Sequence, residues 1–180
     1  MLVVAPTTRA ILPPPIPDRG YRNGNTAEGD RALQSLTNGS FNTANGNSVL
    51  LNNTSGTGNA AVGFQALLNN TGGLANTAIG YVALSSNTNG SSNTAIGVVA
   101  LAYNTTGDYN TASGLDALEF NAIDSFNTAS GFDALENNTT GSANTAVGVN
   151  ATGNNNMANG LSALKGNTSG VIILPLAPLH

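Results

Sequence analysis

Four carboxylates, repeated across two neighbouring segments, are the residues whose chemistry could support a site. Asp116 and Glu119 recur seventeen positions later as Asp133 and Glu136. Carboxylate oxygens are the ligands that Ca²⁺ prefers, so these four residues are weak candidates for a calcium site. The competing and favoured interpretation is a solvated acidic face that limits lateral aggregation, because like charges stacked at strand spacing repel each other.

The same carboxylates are also the only candidates for hydrolytic chemistry of the paired-carboxylate type. Asp116 and Glu119 are three residues apart, so on a β-strand we expect them to point to opposite faces, where they could not act on one bond. The single histidine is the C-terminal His180, which leaves a Ser-His-Asp arrangement without its base, and the chain has no cysteine. No Gly-Lys-Ser/Thr sequence follows the repeated glycines. We therefore predict that the chain is not an enzyme and uses no cofactor.

Composition excludes two classes of partner. The net charge is −4, and all four arginines lie within the first 31 residues, so no basic face is available for a phosphate backbone. No run of about twenty apolar residues occurs, so the sequence predicts no membrane span. The first residues, MLVVAP, have neither a basic region nor a full apolar core, so we do not expect a signal peptide.

The carboxylates belong to a repeat that organises most of the chain. Residues 76–92 and 93–109 are near copies of seventeen residues each. Seven steps of seventeen and a final step of twelve connect the copies, which begin at Asn25, Asn42, Asn59, Asn76, Asn93, Asn110, Asn127, Asn144 and Asn156. A fixed period of this length is typical of a stacked, quasi-one-dimensional architecture.

Several columns of the repeat are nearly invariant. Counting from the first Asn, position 3 is always Ala and position 5 always Gly, while position 8 is Ala, position 9 Leu and position 12 Asn with few exceptions. Such columns require each residue to lie above its counterpart, as in parallel strands about 4.8 Å apart with ladders of side-chain amides. We therefore predict an all-β, parallel β-solenoid (β-roll or β-helix) with about nine 17-residue coils, whose structural ladder includes Asn76, Asn93, Asn110, Asn127, Ala78, Ala95, Gly80, Gly97, Leu84 and Leu101.

The direction of the side chains is only partly fixed by the sequence. Alternation within the strand Asn-Thr-Ala-Ile-Gly predicts that Ala faces inward and that Thr and Ile face outward. The adjacent Ala and Leu of positions 8 and 9 cannot both face inward from a straight strand, so a bend is needed between them. Alternatively, the Leu column and the Ile/Val column form a seam against another chain.

Both termini lie outside the repeat. We divide the chain into an extended Pro-rich arm (1–24), the solenoid (25–170) and an apolar strand or cap (171–180). Four prolines within residues 13–17 preclude a helix there. The predicted subunit interface consists of the apolar residues of both ends, namely Leu2, Val3, Val4, Ile11, Leu12, Ile16, Val171, Ile172, Ile173 and Leu174.

The unit Asn-Thr-Ala-Ile-Gly-x-x-Ala-Leu resembles the head repeats of trimeric autotransporter adhesins and the Asn-Thr-Ala-x-Gly repeats of bacterial surface and phage-fibre proteins. The resemblance covers residues 25–170. It implies a left-handed β-roll, often trimeric, that serves adhesion. The period of seventeen and the lack of a coiled-coil stalk or membrane anchor depart from that pattern.

We expect a structural role for this chain, as the subunit of an extracellular or cell-surface filament made of copies of itself. Strands donated between subunits would pair the open edges at the ends of each solenoid. The first alternative is a trimeric adhesin head or phage-fibre segment that binds a surface or glycan. The second is an ice-binding solenoid, in which the column Thr77, Thr94, Thr111, Thr128 and Thr145 forms a regular outer array.

Overall fold

The structure, a computed structural model, describes residues 22–151 and 157–159 and confirms the parallel β-solenoid. A short 3-10 turn, Arg22–Gly24, precedes the first strand. Each copy of the repeat contributes one three-residue strand, and the strands are β1 (Thr26–Glu28), β2 (Thr43–Asn45), β3 (Ala60–Val62), β4 (Thr77–Ile79), β5 (Thr94–Ile96), β6 (Thr111–Ser113), β7 (Thr128–Ser130), β8 (Thr145–Val147) and β9 (Met157–Asn159).

The strands form one parallel sheet in the order of the sequence, and the register follows the repeat. Ala78 pairs with Ala61 before it and with Ala95 after it, and the same residue-on-residue register holds throughout. We number the coils from their first Asn: coil 1 is 25–41, coil 2 is 42–58, coil 3 is 59–75, coil 4 is 76–92, coil 5 is 93–109, coil 6 is 110–126, coil 7 is 127–143, and coil 8 begins at 144. About seven complete turns are formed, so the predicted number of about nine coils is slightly too high for the described part.

Hydrogen bonds between coils extend well beyond the three-residue strands. The N–H groups of positions 5 and 7 donate to the preceding coil, as Gly97 does to Ile79 O and Val99 to Tyr81 O, both at 2.9 Å. Those of positions 9, 11 and 13 donate to the following coil, as Leu101 does to Ala117 O at 3.0 Å. Because backbone polar groups far from the strands are also paired, each coil is fixed to its neighbours around most of its circumference.

The core is narrow and consists of the Ala and Leu columns. Ala of positions 3 and 8 and Leu of position 9 are buried in coils 3 to 7, as Ala95, Ala100 and Leu101 show. Ile79 and Ile96 at position 4 are 44% exposed, so the Ala column faces inward and the Ile/Val column outward, as expected. The Leu column therefore belongs to the core and not to a seam against another chain.

The bend expected between Ala and Leu is present and has a definite backbone conformation. Leu101 has φ +52°, and position 9 is left-handed in every coil from Leu33 to Leu135. A residue in the left-handed region breaks the alternation of a strand, so the adjacent side chains Ala100 and Leu101 both reach the core.

Glycine at position 5 is required by the contact between coils. Gly97 has φ +141°, and a Cβ atom there would overlap the carbonyl oxygen of Gly114 in the next coil. Both the backbone conformation and the close approach exclude a side chain. In the part of the chain that the structure describes, no helix is long and apolar enough to cross a membrane.

Candidate functional surfaces

A buried ladder of Asn side chains runs along the solenoid at position 1. Asn93 donates its N–H to Asn76 Oδ1 at 2.9 Å and its Nδ2 to Gly107 O at 2.7 Å, and its own Oδ1 accepts the N–H of Asn110 at 2.9 Å. Asn76, Asn93, Asn110 and Asn127 are all fully buried. In coils 1 to 6 the amide thus joins one coil to the next and also closes its own coil, whereas Asn127 Nδ2 donates to Asn121 Oδ1 in the preceding coil at 3.1 Å. These bonds explain why no other residue occupies this column.

A second Asn ladder occupies position 12. Asn87 Nδ2 donates to Asn70 Oδ1 in the preceding coil at 2.8 Å and to Gly90 O at 2.9 Å. Asn87 Oδ1 accepts from Asn104 Nδ2 at 2.9 Å. The two ladders meet at the carbonyl of position 15, because Gly90 O also accepts from Asn76 Nδ2 at 2.8 Å. These ladders fix the closure and the axial register of the coils.

The outer side of the sheet carries a continuous apolar surface from coil 3 to coil 8. Positions 4 and 6 supply it, and we call it the apolar face: Val62, Phe64, Ile79, Tyr81, Ile96, Val98, Leu115, Phe132 and Val147. Phe64 and Tyr81 stack at 5.3 Å between ring centroids. In coils 1 and 2 the same positions hold Glu28, Asp30, Asn45 and Asn47, so the face ends in a polar border.

The Thr column of position 2 lies beside the apolar face on the same outer side. Thr111 and Thr128 are exposed, while Thr77, Thr94 and Thr145 are half-buried. The array considered for ice binding therefore does line the surface of the solenoid, but next to a broader apolar surface.

Two further aromatic pairs lie on other sides of coils 5 and 6. Tyr103 stacks on Phe120 at 5.1 Å and Tyr109 on Phe126 at 5.1 Å, and all four side chains are exposed. Sequence reasoning missed both pairs, although each pair is separated by one period of seventeen residues. A separation of one period places two rings in adjacent coils, one above the other, so the spacing of these aromatic residues was sufficient to predict both pairs.

The four carboxylates considered for calcium lie close together. The prediction that Asp116 and Glu119 point to opposite faces of a strand was wrong. Residues 116–119 form a turn instead of a strand, with the Glu119 N–H donating to Asp116 O at 3.3 Å. Burial raises the pKa of Glu119, with smaller contributions from the charges of Asp116, Glu136 and Asp133. Burial likewise raises the pKa of Asp133 and of Glu136, and neighbouring Asp charges add to it.

We call these four residues the acidic corner; burial is the largest cause of its raised pKa values, and repulsion between the carboxylates adds to it. Among the described residues, no group of three or more His, Cys, Asp or Glu side chains is arranged to hold a metal ion. The corner fits the interpretation as a charged outer face, since the like charges of neighbouring carboxylates add to each of these shifts and no base offsets them in coils 6 and 7.

Asp124 departs from its column. Position 15 is Gly in coils 1 to 5 and in coil 7, and Asp124 replaces it in coil 6. Its Oδ2 atom is buried and has no hydrogen-bond partner. Its backbone carbonyl nevertheless accepts from Asn110 Nδ2 at 2.8 Å and Asn121 Nδ2 at 2.9 Å, so both ladders continue through this coil.

The predicted interface residues of the two ends, Leu2 to Ile16 and Val171 to Leu174, lie outside the described residues. Comparison with protein-family models, with curated proteins and with solved structures found no match to this chain.

Proposed function

We propose that the chain is a structural protein, the subunit of an extracellular filament in which solenoids stack end to end and exchange strands. The observation that carries the proposal is the edge of coil 1. In coils 2 to 7 the N–H groups of positions 5 and 7 donate to the preceding coil, whereas those of Gly29 and Arg31 donate to no residue in the described part of the chain. Such an edge is a template for pairing with another strand.

The uniformity of the stack supports the same conclusion. From coil 1 to coil 8 the strands repeat one register, and the N–H of each first Asn donates to Oδ1 of the first Asn in the preceding coil. An extended segment from another subunit could therefore continue the bonding at a free edge by strand addition. The low content of charged residues, 8%, leaves few side chains that would oppose such stacking.

The two terminal segments are the proposed donors. Residues 1–24, if extended, span roughly 80 Å, whereas residues 171–180 span roughly 35 Å. Eight coils rise about 38 Å at strand spacing. The N-terminal arm is long enough to lie along all the coils of a neighbour, so we assign it as the donor and the C-terminal strand to the receiving end.

Electron microscopy of the purified full chain tests the proposal, and we expect particles that elongate with time and concentration. Deletion of residues 1–24 should leave β circular dichroism intact and abolish elongation. Val3→Pro combined with Val4→Pro should do the same, because proline removes the ladder N–H groups. The matched control, Thr7→Ala with Thr8→Ala, should elongate normally. Monodisperse particles of the full chain under all conditions would contradict the filament, and normal filaments from the arm-deleted chain would contradict the donor assignment.

The apolar face favours a second candidate function, a trimeric adhesin head or fibre segment. Three copies could surround a common axis with Ile79 and Ile96 directed toward it, which would leave the aromatic pairs of coils 5 and 6 free for a glycan or surface ligand. Light scattering separates the two functions: a trimeric head gives one mass of three chains, whereas a filament gives an open distribution of masses.

A further inference from the structure

The apolar face is too large for an ordinary solvent-exposed surface. Its nine side chains are each 40–53% exposed. With on the order of 150–200 Å² available per large side chain, the exposed apolar area is about 700 Å². The largest apolar patch of a typical monomer is about 300–600 Å², so a patch of this size indicates an interaction surface.

We propose that the occupant of this face is a second copy of the chain, packed face to face with its solenoid axis antiparallel. Burying about 700 Å² on each copy gives about 1,400 Å² in total, which is within the range of stable interfaces. The surface is a regular array of rows at strand spacing, and another sheet with the same spacing matches it row by row. The proposal does not depend on end-to-end polymerisation, because the pairing is lateral.

The order of residues in the position 4 column supports the antiparallel arrangement. From coil 3 to coil 8 the column reads Val62, Ile79, Ile96, Ser113, Ser130, Val147. A two-fold axis between coils 5 and 6 places each Ile opposite a Ser and each terminal Val opposite the other. In the four central rows of this column a large residue then faces a small one, which is the arrangement that fills an interface without overlap.

The distribution of charge favours the same arrangement. Positions 2, 4 and 6 carry no charged residue from coil 3 to coil 8, whereas coil 1 has Glu28 and Asp30 there. A parallel pair would bring these carboxylates of the two copies together, which is unfavourable. In the antiparallel pair with its axis between coils 5 and 6, coil 1 of one copy and coil 1 of the other lie at opposite ends of the pair, so their carboxylates stay far apart.

Substitution at the centre of the face tests the pairing in the full chain. Ile96→Glu places a carboxylate in the interface, and the coil tolerates one at this position because coil 1 carries Glu28 there. We expect β circular dichroism to be unchanged and lateral association, measured by sedimentation equilibrium, to weaken by more than roughly tenfold. The control Asn89→Asp adds the same charge at an exposed position outside the face and should leave association unchanged.

Cross-linking tests the direction of the pair, using a chain that has no cysteine of its own. Val62→Cys and Val147→Cys should form a disulfide-linked dimer when the two variants are mixed. Val62→Cys alone should not, because the two copies of this residue would be about 24 Å apart, beyond the reach of a disulfide. Efficient self-linking of Val62→Cys would overturn the antiparallel arrangement.

The outcomes separate this inference from the proposed filament. If the chain does not elongate, lateral pairing still gives a mass of two chains that Ile96→Glu reduces to one. If the chain elongates, wild-type filaments should be two solenoids wide and Ile96→Glu filaments one solenoid wide. A wild-type mass of one chain, or Ile96→Glu association equal to wild type, would overturn the pairing.

Discussion

Replacing Asn87 by leucine removes one rung of the position 12 ladder while keeping the number and branching of the side-chain heavy atoms. Asn87 is fully buried, and its amide group makes three hydrogen bonds, to Asn70 Oδ1, to Gly90 O and from Asn104 Nδ2. Leucine makes none of these bonds. Its methyl groups also need more room than hydrogen-bonded atoms do, so crowding adds to the loss of the ladder bonds.

The expected loss follows from counting the groups that lose a partner. Asn70 Oδ1 accepts only from Asn87 Nδ2, and Asn104 Nδ2 keeps only its bond to Gly107 O. Gly90 O remains bonded to Asn76 Nδ2 at 2.8 Å. Asn70 Oδ1 and one N–H of Asn104 Nδ2 are left unsatisfied at about 1–3 kcal/mol each, so we expect the lost bonds to lower the free energy of unfolding by about 2–6 kcal/mol.

Denaturant unfolding followed by circular dichroism measures this loss. The matched control is Asn89→Leu, two residues further along the same coil, where the side chain is exposed and accepts one long hydrogen bond, from Thr71 Oγ1 at 3.5 Å. We expect the control to change the free energy of unfolding by less than about 0.5 kcal/mol. Asn70→Leu combined with Asn87→Leu should cost less than the sum of the single substitutions, because Asn70 Oδ1 is then absent. Equal losses for Asn87→Leu and Asn89→Leu would refute the assignment of stability to the ladder.

Three further predictions concern backbone conformation and charge. Gly97→Ala should lower the free energy of unfolding, measured in the same denaturation assay, by about 2–4 kcal/mol, because the added Cβ atom overlaps the next coil. The control Gly72→Ala, at a half-buried site outside the left-handed region, should have little effect. Val99→Asn should raise the free energy of unfolding by about 0.5–1 kcal/mol, because Val99 has φ +62° and Asn tolerates this region better than a β-branched residue. An unchanged unfolding midpoint would contradict the strain assigned to Val99. The raised carboxyl pKa values at the acidic corner mean that the folded state holds these protons more tightly than the unfolded chain. The stabilisation that these bound protons give the folded state is therefore complete below the ordinary carboxyl pKa values of 3.8–4.5. It is lost as the pH rises through the raised pKa values of the folded state. Thermal melts between pH 3 and pH 7 should show this decline, and it should shrink in a variant with Glu119→Gln, Asp133→Asn and Glu136→Gln.

The solenoid could be predicted from the sequence because its geometry constrains every residue in a column of the repeat in the same way. A residue that stacks on its own counterpart experiences the same environment in every coil, so Ala78 and Ala95, or Gly80 and Gly97, are identical for one physical reason. The inward Ala column and the need for a bend before Leu101 followed from strand alternation alone. The register needed no further information than the period, whereas the predicted number of about nine coils was slightly too high for the described part.

Side-chain directions beyond the strand could not be predicted, because they depend on residues with positive φ. Position 7 is left-handed whether it holds Val82, Gln65 or Asp116, and position 17 whether it holds Ser92 or Tyr109. No residue type in these columns indicates that conformation; bonding between coils imposes it. Treating residues 116–119 as a strand therefore placed Asp116 and Glu119 on opposite faces, when the turn places them at one corner.

Asp124 separates the contribution of the backbone from that of the side chain at position 15. A Cβ atom on Gly90 or Gly107 would approach a ladder Asn side chain closely, so glycine is the favoured residue in this column. Coil 6 nevertheless closes around Asp124, whose carbonyl receives both ladder amides at 2.8 and 2.9 Å while its Oδ2 is buried without a partner. An unsatisfied buried oxygen costs about 1–3 kcal/mol, and the coil keeps its register in spite of it. At position 15, the bonds that close the coil are thus those accepted by the backbone carbonyl. The side chain at that position changes the stability of the coil but is not needed for its closure.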